Sequence, residues 1–532
     1  MNNSDLIVRT LAQAGVRWVF GIPSGPVLPL IEALRGSSVE FVLTASETSA
    51  AFMASAVGYL TGVPGVCAST VGPGATNLTT GVGCAWLDRA PLLAITCNVA
   101  TPWLERRIQM RIDHHKLFEP LTKATFACRH GNVGEIFAQA LGIATQEPPG
   151  PVHLDLPEDV AQAVALETRG APTAPALLPD LSNEIAAALA QALHSSKRPL
   201  LISGLSFTRC AASQDLLAFV ERQNIPFVTT MHGKGFLPES HVNSAGVIGR
   251  ARRSDIKKFT DRADLVIAVG YDPIEINYEE WVKSGTPIIH ISTEAAESGN
   301  GVNLIWNRAC NLDAAIGATS AAPAVTNDWS IRDFHAHREI WDKALRPASA
   351  NFAPFQVLDI LRERLPAGGV LAYDVGAHTH QIASQWRTDV ARTLLATNGW
   401  SSMGYGMPAA FAAKLVHPER AVVFVVGDGG FQMTAGELSL ARRLNLNVPV
   451  IVLNDGWLGL MKVKQERRSY PLSGVRLGAP PDSPAHYFGV PCRPAKTPDE
   501  FRAELDWAFA LNGPGVVEAF VDAEAYSATV YD

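Results

Sequence analysis

The chain has 532 residues, enough for about three domains at 100–200 residues each. Apolar residues make up 47% and charged residues 18%, which excludes a disordered chain and leaves material for large cores. A net charge of −7 and a pI near 6.1 exclude a global basic surface for nucleic acid, although a local positive site for an anionic substrate stays open.

The opening MNNSDLIVRTLAQAG lacks the basic segment, apolar run and cleavage site of a secretory signal. Short apolar runs near 17–20, 40–43, 64–69, 92–96 and 152–155 alternate with helical patterns and predict a first block over 1–167. Residues 168–180, TRGAPTAPALLPD, lose that periodicity and read as a linker. A second block, 181–316, carries strands at 199–203, 226–230, 264–270 and 287–292. A second linker, GATSAAPAVTND at 317–328, precedes a third block, 329–532, with strands at 370–374, 421–428 and 448–455. The alternation predicts an α/β fold of three doubly wound, mostly parallel sheets, with ligands beyond the carboxyl ends of the strands. The longest apolar runs, such as 421–426, are too short to span a bilayer, so no membrane partner is expected. Seven scattered cysteines with no CxxC predict reduced thiols and a cytoplasmic protein.

The sharpest pattern is Gly427-Asp428-Gly429-Gly430, directly after the run 421–426. A second run, 448–453, ends in Asn454-Asp455-Gly456-Trp457, its aspartate 27 positions from the first. A right-handed strand–helix–strand unit brings both strand ends to one sheet edge, so Asp428 and Asp455 converge. Paired carboxylates suit Mg²⁺, which takes hard oxygen ligands and completes its shell with phosphate oxygens and water. The glycines let backbone amides approach a diphosphate, and a helix N-terminus adds positive potential. A tight turn that binds nothing is the plainer reading of GDGG alone, and the second strand-end acid weighs against it.

GDGG followed by Asn-Asp resembles the diphosphate-and-metal motif of thiamine-diphosphate (ThDP) enzymes. Most of that family has Asn where this chain has Asp455; the FAD-independent acetolactate synthases are similar to it in carrying Asp. The resemblance implies ThDP and Mg²⁺ as cofactors. Asp428, Asp455 and the main-chain carbonyl of Trp457 would ligate the metal, and the Gly427 turn with the amides of Gly429, Gly430, Leu458 and Gly459 would meet the diphosphate. The resemblance extends along the chain through Thr44–Met53, Val71–Asn77, Gly233-Lys-Gly, Val269–Glu275, Asp374–His378 and Ser402–Pro408. It implies that Glu47 activates the cofactor by hydrogen-bonding its aminopyrimidine, from what its Ala- and Phe-rich flanks suggest is a buried helix start. A surface glutamate is the plain alternative. Met403 would bend the cofactor, Ser401 would accept from its amino group, and Ala377 and His378 would lie near the diphosphate. Core filling for Met403 and a loop position for His378 are the alternatives. The resemblance also implies a homo-oligomer, dimer or tetramer, with sites between subunits. The GYDPIE segment resembles the FAD-free branch, so no FAD is expected.

Two departures bear on the reaction. Acetolactate synthases have His before the glutamate, where this chain has Ser46. Their glutamine three residues before an aspartate is displaced in Gln109-Met-Arg-Ile-Asp113-His114-His115, whose His pair resembles that of pyruvate and indolepyruvate decarboxylases. His114 and His115 are candidate acids or carboxylate binders, against two exposed loop histidines. Arg106, Arg107 and Arg111 are candidate carboxylate binders. Lys462, Lys464 and Gln465 lie on a predicted helix facing the site, and the resemblance implies a role for the 464–465 position. The leading reading is a carboligase that decarboxylates a 2-oxo acid, pyruvate first, and joins the fragment to a second carbonyl. A simple 2-oxo acid decarboxylase releasing an aldehyde is the alternative. A non-catalytic ThDP-binding regulatory relative is disfavoured by the intact Glu47 and metal motif, and a hydride-transferring dinucleotide enzyme by the lack of an early GxGxxG.

Overall fold

Parallel strands covered on both faces need apolar side chains on both, and the Val/Ile/Leu runs of the sequence stand at the centres of three sheets. The structure, a computed structural model, describes residues 1–167, 177–297, 299–478 and 482–530. Residues 168–176 of the first expected linker lie outside them.

The first sheet holds β1 (Trp18–Gly21), β2 (Glu40–Leu43), β3 (Gly65–Ser69), β4 (Leu92–Asn98), β5 (Ala124–Ala127) and β6 (Pro151–Pro157), in the order β2-β1-β3-β4-β6-β5. The second holds β7 (Pro199–Ser203), β8 (Phe227–Thr229), β9 (Ser244–Val247), β10 (Leu265–Val269), β11 (Pro287–Ser292) and β12 (Asn303–Ala309), in the order β12-β11-β10-β7-β8-β9. The third holds β13 (Val370–Tyr373), β14 (Leu394–Leu395), β15 (Val422–Gly427), β16 (Pro449–Asn454), β17 (His486–Tyr487), β18 (Val490–Ala495) and β19 (Gly515–Phe520), in the order β14-β13-β15-β16-β19-β18-β17. Every pairing is parallel except the β17–β18 edge. Strands absent from the sequence reading, such as β5 and β12, lie at sheet edges and are half-exposed, so no apolar run marks them.

The second expected linker is shorter than its composition suggests. Helix Leu312–Ser320, capped by Asn311 accepting from the Ala314 amide, takes up its first four residues. Trp329, expected to open the third block, is buried in the central core, where its Nε1 donates to the Pro199 carbonyl at 2.8 Å. Phe334 of helix Ile331–Ala344 joins the same core.

The first and third domains share one core within the chain. Ala50, Ala51 and Ala54 of helix Glu47–Thr61 and Ala409, Ala410, Ala412 and Ala413 of helix Gly406–Val416 are buried in it together. Small side chains on both helices permit close approach. Among the described residues no helix is long and apolar enough to cross a membrane.

Two buried ion pairs of the central domain each hydrogen-bond to the main chain of the third. Lys234 Nζ stands 2.6 Å from Glu239 Oε1, and the other Glu239 oxygen accepts from the Thr388 amide. His232 donates from Nδ1 to Glu275 at 3.0 Å and from Nε2 to the Ala396 carbonyl at 3.0 Å. Burial pulls the His232 pKa down, but the hydrogen bond and charge of Glu275 outweigh it and hold it up at about 9. A histidine raised in the folded state contributes stability that is intact below its unfolded value, near 6.5, and lost as pH rises through the folded one. The urea midpoint of the wild type therefore falls between pH 6.5 and about 9, and falls less in His232→Gln, which keeps a donor but cannot titrate. Parallel pH profiles for the two proteins would remove the charged imidazole from the account.

Candidate functional site

The order of the third sheet reverses between β13 and β15, because the chain steps outward to β14 before returning. Connections diverge at such a point and leave a crevice at the carboxyl ends of the strands. The crevice is a cavity of about 290 Å³. β13 leads through Asp374 into helix Ala377–Gln385, β15 into Asp428, and β16 through Asp455 into helix Gly459–Arg467. Ala377, His378, Ser401, Met403, Gly427, Asp428, Gly429, Gly430, Asp455, Trp457, Leu458 and Gly459 all line this cavity. Glu47 does not, and neither does any other first-domain residue.

Strand register makes the two acids converge. Gly427 stands opposite Leu453, so Asp428 and Asp455 emerge together. Asp428 accepts from the amides of Gly429 and Gly456, each at 2.9 Å, and Asp455 from the amide of Trp457 at 2.8 Å. Burial pushes the Asp428 carboxyl up to about 6. Burial and the neighbouring Asp428 charge push Asp455 up to about 7. A buried and a half-buried carboxylate side by side, flanked by glycines, form a hard-oxygen donor set suited to a divalent cation. The buried His378 Nε2 has no hydrogen-bond partner and lines the same cavity. Burial lowers that imidazole to about 4, so it is neutral near pH 7. A Cβ on Gly430 would stand 2.9 Å from Asp374 Oδ2 and from Val426, so this turn presents backbone where any side chain would collide.

Sequence reasoning gave Asp374 no role, although it opens one of the quoted motifs. Its buried carboxylate accepts from the Gly404 amide at 2.8 and 2.9 Å and from the Val375 amide at 2.8 Å. It thereby ties the loop 401–404 to the end of β13. Ser401 in that loop has a left-handed φ of 51°, an uncommon conformation for a residue other than glycine. Tyr526, also missed, closes the wall from the far end of the chain.

The first domain gathers a second group. Glu47 is the buried first residue of its helix, as its flanks suggested, and Asn77 Nδ2 donates to it at 3.0 Å. Ser46 caps that helix by accepting from the Ser49 amide. The amides of Ala45 and Ser46 donate to Glu437 of the third domain, which fixes the helix start. His114, His115 and Arg111 line a separate cavity of about 520 Å³. His114 is fully buried rather than exposed, and its Nε2 accepts from Gly72 in the turn Val71–Asn77 beside Glu47. Arg111 is half-buried, and its Nε has no partner. Arg106 and Arg107 are exposed, Arg106 over the Trp103 ring.

Helix Gly459–Arg467 corrects part of the earlier picture. Gln465 does not face the cavity: it donates to the Ser473 carbonyl at 3.0 Å and accepts from the Ser473 amide at 3.1 Å, clamping a loop. Lys462 is held by Glu466 and Glu524, each at 2.7 Å. Lys464 is half-buried and is not among the residues that line the cavity; its charge lowers the His380 pKa.

Three family models match the chain: the thiamine pyrophosphate enzyme N-terminal TPP binding domain over residues 1–117, the central domain over 186–307 and the C-terminal TPP binding domain over 374–519. Among curated relatives, the probable acetolactate synthase large subunit of Methanocaldococcus jannaschii is 31% identical over 98% of this chain and 92% of its own length. The acetolactate synthase large subunit of Lactococcus lactis is 31% identical over 87% of this chain and 82% of its own. The acetolactate synthase of Bacillus subtilis is 29% identical over 98% and 93%.

The two aspartates differ in what a substitution removes. Asp428→Ala deletes an oxygen donor and two backbone anchors, so ThDP binding measured calorimetrically with Mg²⁺ should weaken about 100-fold or more. Asp455→Asn keeps a coordinating carbonyl and relieves the like-charge repulsion, so its loss should be only a few-fold. A severe loss in Asp455→Asn would show that the second carboxylate's charge, and not merely its oxygen, is required.

Proposed function

The chain belongs to the thiamine pyrophosphate enzyme family, and on that premise we propose that it is an acetolactate synthase-like carboligase acting on pyruvate or a related 2-oxo acid. The observation that carries this is the cavity at the strand-order reversal, where Asp428, Asp455 and the partnerless His378 Nε2 meet one donor set. Asp428, Asp455 and the Trp457 carbonyl hold Mg²⁺, and the amides of Gly429, Gly430, Leu458 and Gly459 with His378 hold the diphosphate. When bound, ThDP supplies a carbanion that adds to the 2-oxo acid carbonyl and an electron sink that lets CO₂ leave. Met403 and the Ser401 turn line the cavity and would support the cofactor there. Glu47 holds a proton on the aminopyrimidine, and Arg111 receives a substrate carboxylate.

Glu47 belongs to a helix fixed on its own third domain, yet it lies outside that domain's cavity. This supports a homo-oligomer in which Glu47 completes the cavity of a second copy. The central domain supports a flavin-free enzyme. Its cavity of about 720 Å³, beside the GYDPIE segment, is lined by Asp272, Glu279, Glu280, Glu294 and Glu297, with Arg89 paired to Asp272 and Glu294. Such a wall repels a dinucleotide diphosphate.

Co-expressed Glu47→Gln and Asp428→Ala chains test the shared site. Each alone should be nearly inactive, by about 100-fold or more. A mixed dimer carries one intact site, so the mixture should recover about a quarter of wild-type activity. No recovery despite proven mixed dimers would place both residues in one subunit's site.

The reaction is tested by NMR of the products from excess pyruvate with ThDP and Mg²⁺. Acetolactate with CO₂ is expected, and acetaldehyde alone would replace the carboligase by a simple decarboxylase. Arg111→Ala should lower the acetolactate-to-acetaldehyde ratio about tenfold, as loss of a charge-assisted carboxylate contact.

A further inference from the structure

Behind His114 and His115 lies a buried polar array that the reading above does not use. It comprises Thr96 and Asn98 on β4, Thr125 on β5 and His153 and Asp155 on β6, all facing the two histidines. The hydrogen-bond directions can be solved in sequence. A backbone amide can only donate, so the Gly72 N–H, 3.3 Å from His114 Nε2, makes that nitrogen an acceptor. The single His114 proton is then on Nδ1 and donates to Asp155 Oδ1 at 3.1 Å. Thr96 Oγ1 donates to the same carboxylate oxygen at 3.2 Å, and therefore accepts from His153 Nε2 at 2.8 Å. His153 Nδ1 is left as an acceptor, and the Thr125 hydroxyl donates to it at 2.6 Å. With its proton spent, Thr125 Oγ1 accepts from His115 Nδ1 at 2.7 Å. Every bond of this chain runs one way and ends on Asp155; the Asn98 amide gives its protons to the same carboxylate at 3.0 and 3.1 Å and only touches His114 Nδ1 at 3.4 Å, and His115 Nε2 is the ring nitrogen left over.

Burial drives His153 down to about 3, so it stays a neutral link, stacked on Phe118 with ring centroids 4.3 Å apart. Burial works against an ionised Asp155, but His114, His153 and Asn98 outweigh it and hold its carboxyl below the ordinary value. His114, His153 and Asp155 approach closely enough for a metal ion, but the bonds above already occupy their facing atoms, which favours a hydrogen-bond chain.

We propose that His115, and not His114, exchanges a proton with the substrate, and that Thr125, His153, Thr96 and Asp155 are positioning residues that fix its tautomer and aim Nε2 into the cavity. This rests on the 2-oxo acid reading of the site. His115 as imidazolium gives its Nε2 proton to a substrate oxygen, becomes the neutral Nδ1–H form, and regains a proton from water in the cavity. Its side chain is 36% exposed, whereas that of His114 is fully enclosed. Asp155 Oδ2 stands 3.8 Å from His115 Nε2. The other groups that act on His115 are Asp113 and Lys116 on its own helix, Glu105 and Arg111 from the preceding loop, and Arg129 and His130 after β5.

The test is carbethoxylation of the ThDP–Mg²⁺ holoenzyme with diethyl pyrocarbonate across a pH series, with fragment-ion mass spectrometry separating the adjacent histidines. In the wild type His115 should react at least tenfold faster than His114, whose Nε2 is capped by Gly72. Thr125→Val keeps the volume but removes the acceptor for His115 Nδ1, so the midpoint of His115 reactivity should move down by about half to one pH unit. Thr125→Ser should restore it. Equal labelling of the two histidines in the wild type, which needs no variant, would overturn the proposal. So would a Thr125→Val profile that superimposes on the wild type. Labelling is independent of turnover, so a failure to make acetolactate would overturn the proposed reaction and leave this result readable.

Discussion

Two carboxylates, the buried Asp428 and the half-buried Asp455, leave the ends of neighbouring parallel strands side by side, and the third domain is arranged around the cost of that arrangement. Each is stabilised by backbone amides rather than by a cationic side chain. Lys462, the cation whose charge reaches Asp455, is committed to Glu466 and Glu524. The glycines around the aspartate pair leave its oxygens facing the cavity, the arrangement a hard-oxygen donor set for a divalent cation would need. The like-charge repulsion between the two aspartates raises the Asp455 carboxyl in the free protein, and a bound cation would relieve it.

The same economy extends to the loops. Asp374 spends its carboxylate on the amides of Gly404 and Val375, which draws the 401–404 segment over the cleft and holds Ser401 in its left-handed turn. The first domain repeats the device with Glu437, whose carboxylate receives the amides of Ala45 and Ser46 and so orients the start of the Glu47 helix. In both places a buried acid meets main-chain donors, an arrangement that fixes backbone without introducing a competing positive charge.

Packing between domains decides which cavity each residue serves. The alanine-lined helices Glu47–Thr61 and Gly406–Val416 weld the first and third domains into one core, and that weld sets the Glu47 carboxylate away from the cleft of its own chain. The His114–His115 pair meets the Glu47 side of the domain through the Val71–Asn77 segment, where Gly72 donates to His114 and Asn77 to Glu47.

The sequence by itself determined the three α/β blocks, the strand-end aspartates and the cluster of glycines, because buried parallel strands write themselves as apolar runs and a motif within one strand–turn–helix unit is local. Its motifs also named Met403, Ser401 and His378, which the fold brings to one cavity from two separate segments. The edge strands were not legible, since half-exposed strands such as β5 carry no apolar run. Nor was the fate of Gln465, whose amide bonds to Ser473 depend on where a loop returns. Only the tertiary structure separated His114 from His115. Adjacent in sequence and identical in chemistry, they differ because Gly72, 42 positions upstream of His114, caps one ring, while Thr125 and His153 orient the other. Hydrogen-bond direction is a property of three-dimensional neighbours, and the linear order of residues does not contain it.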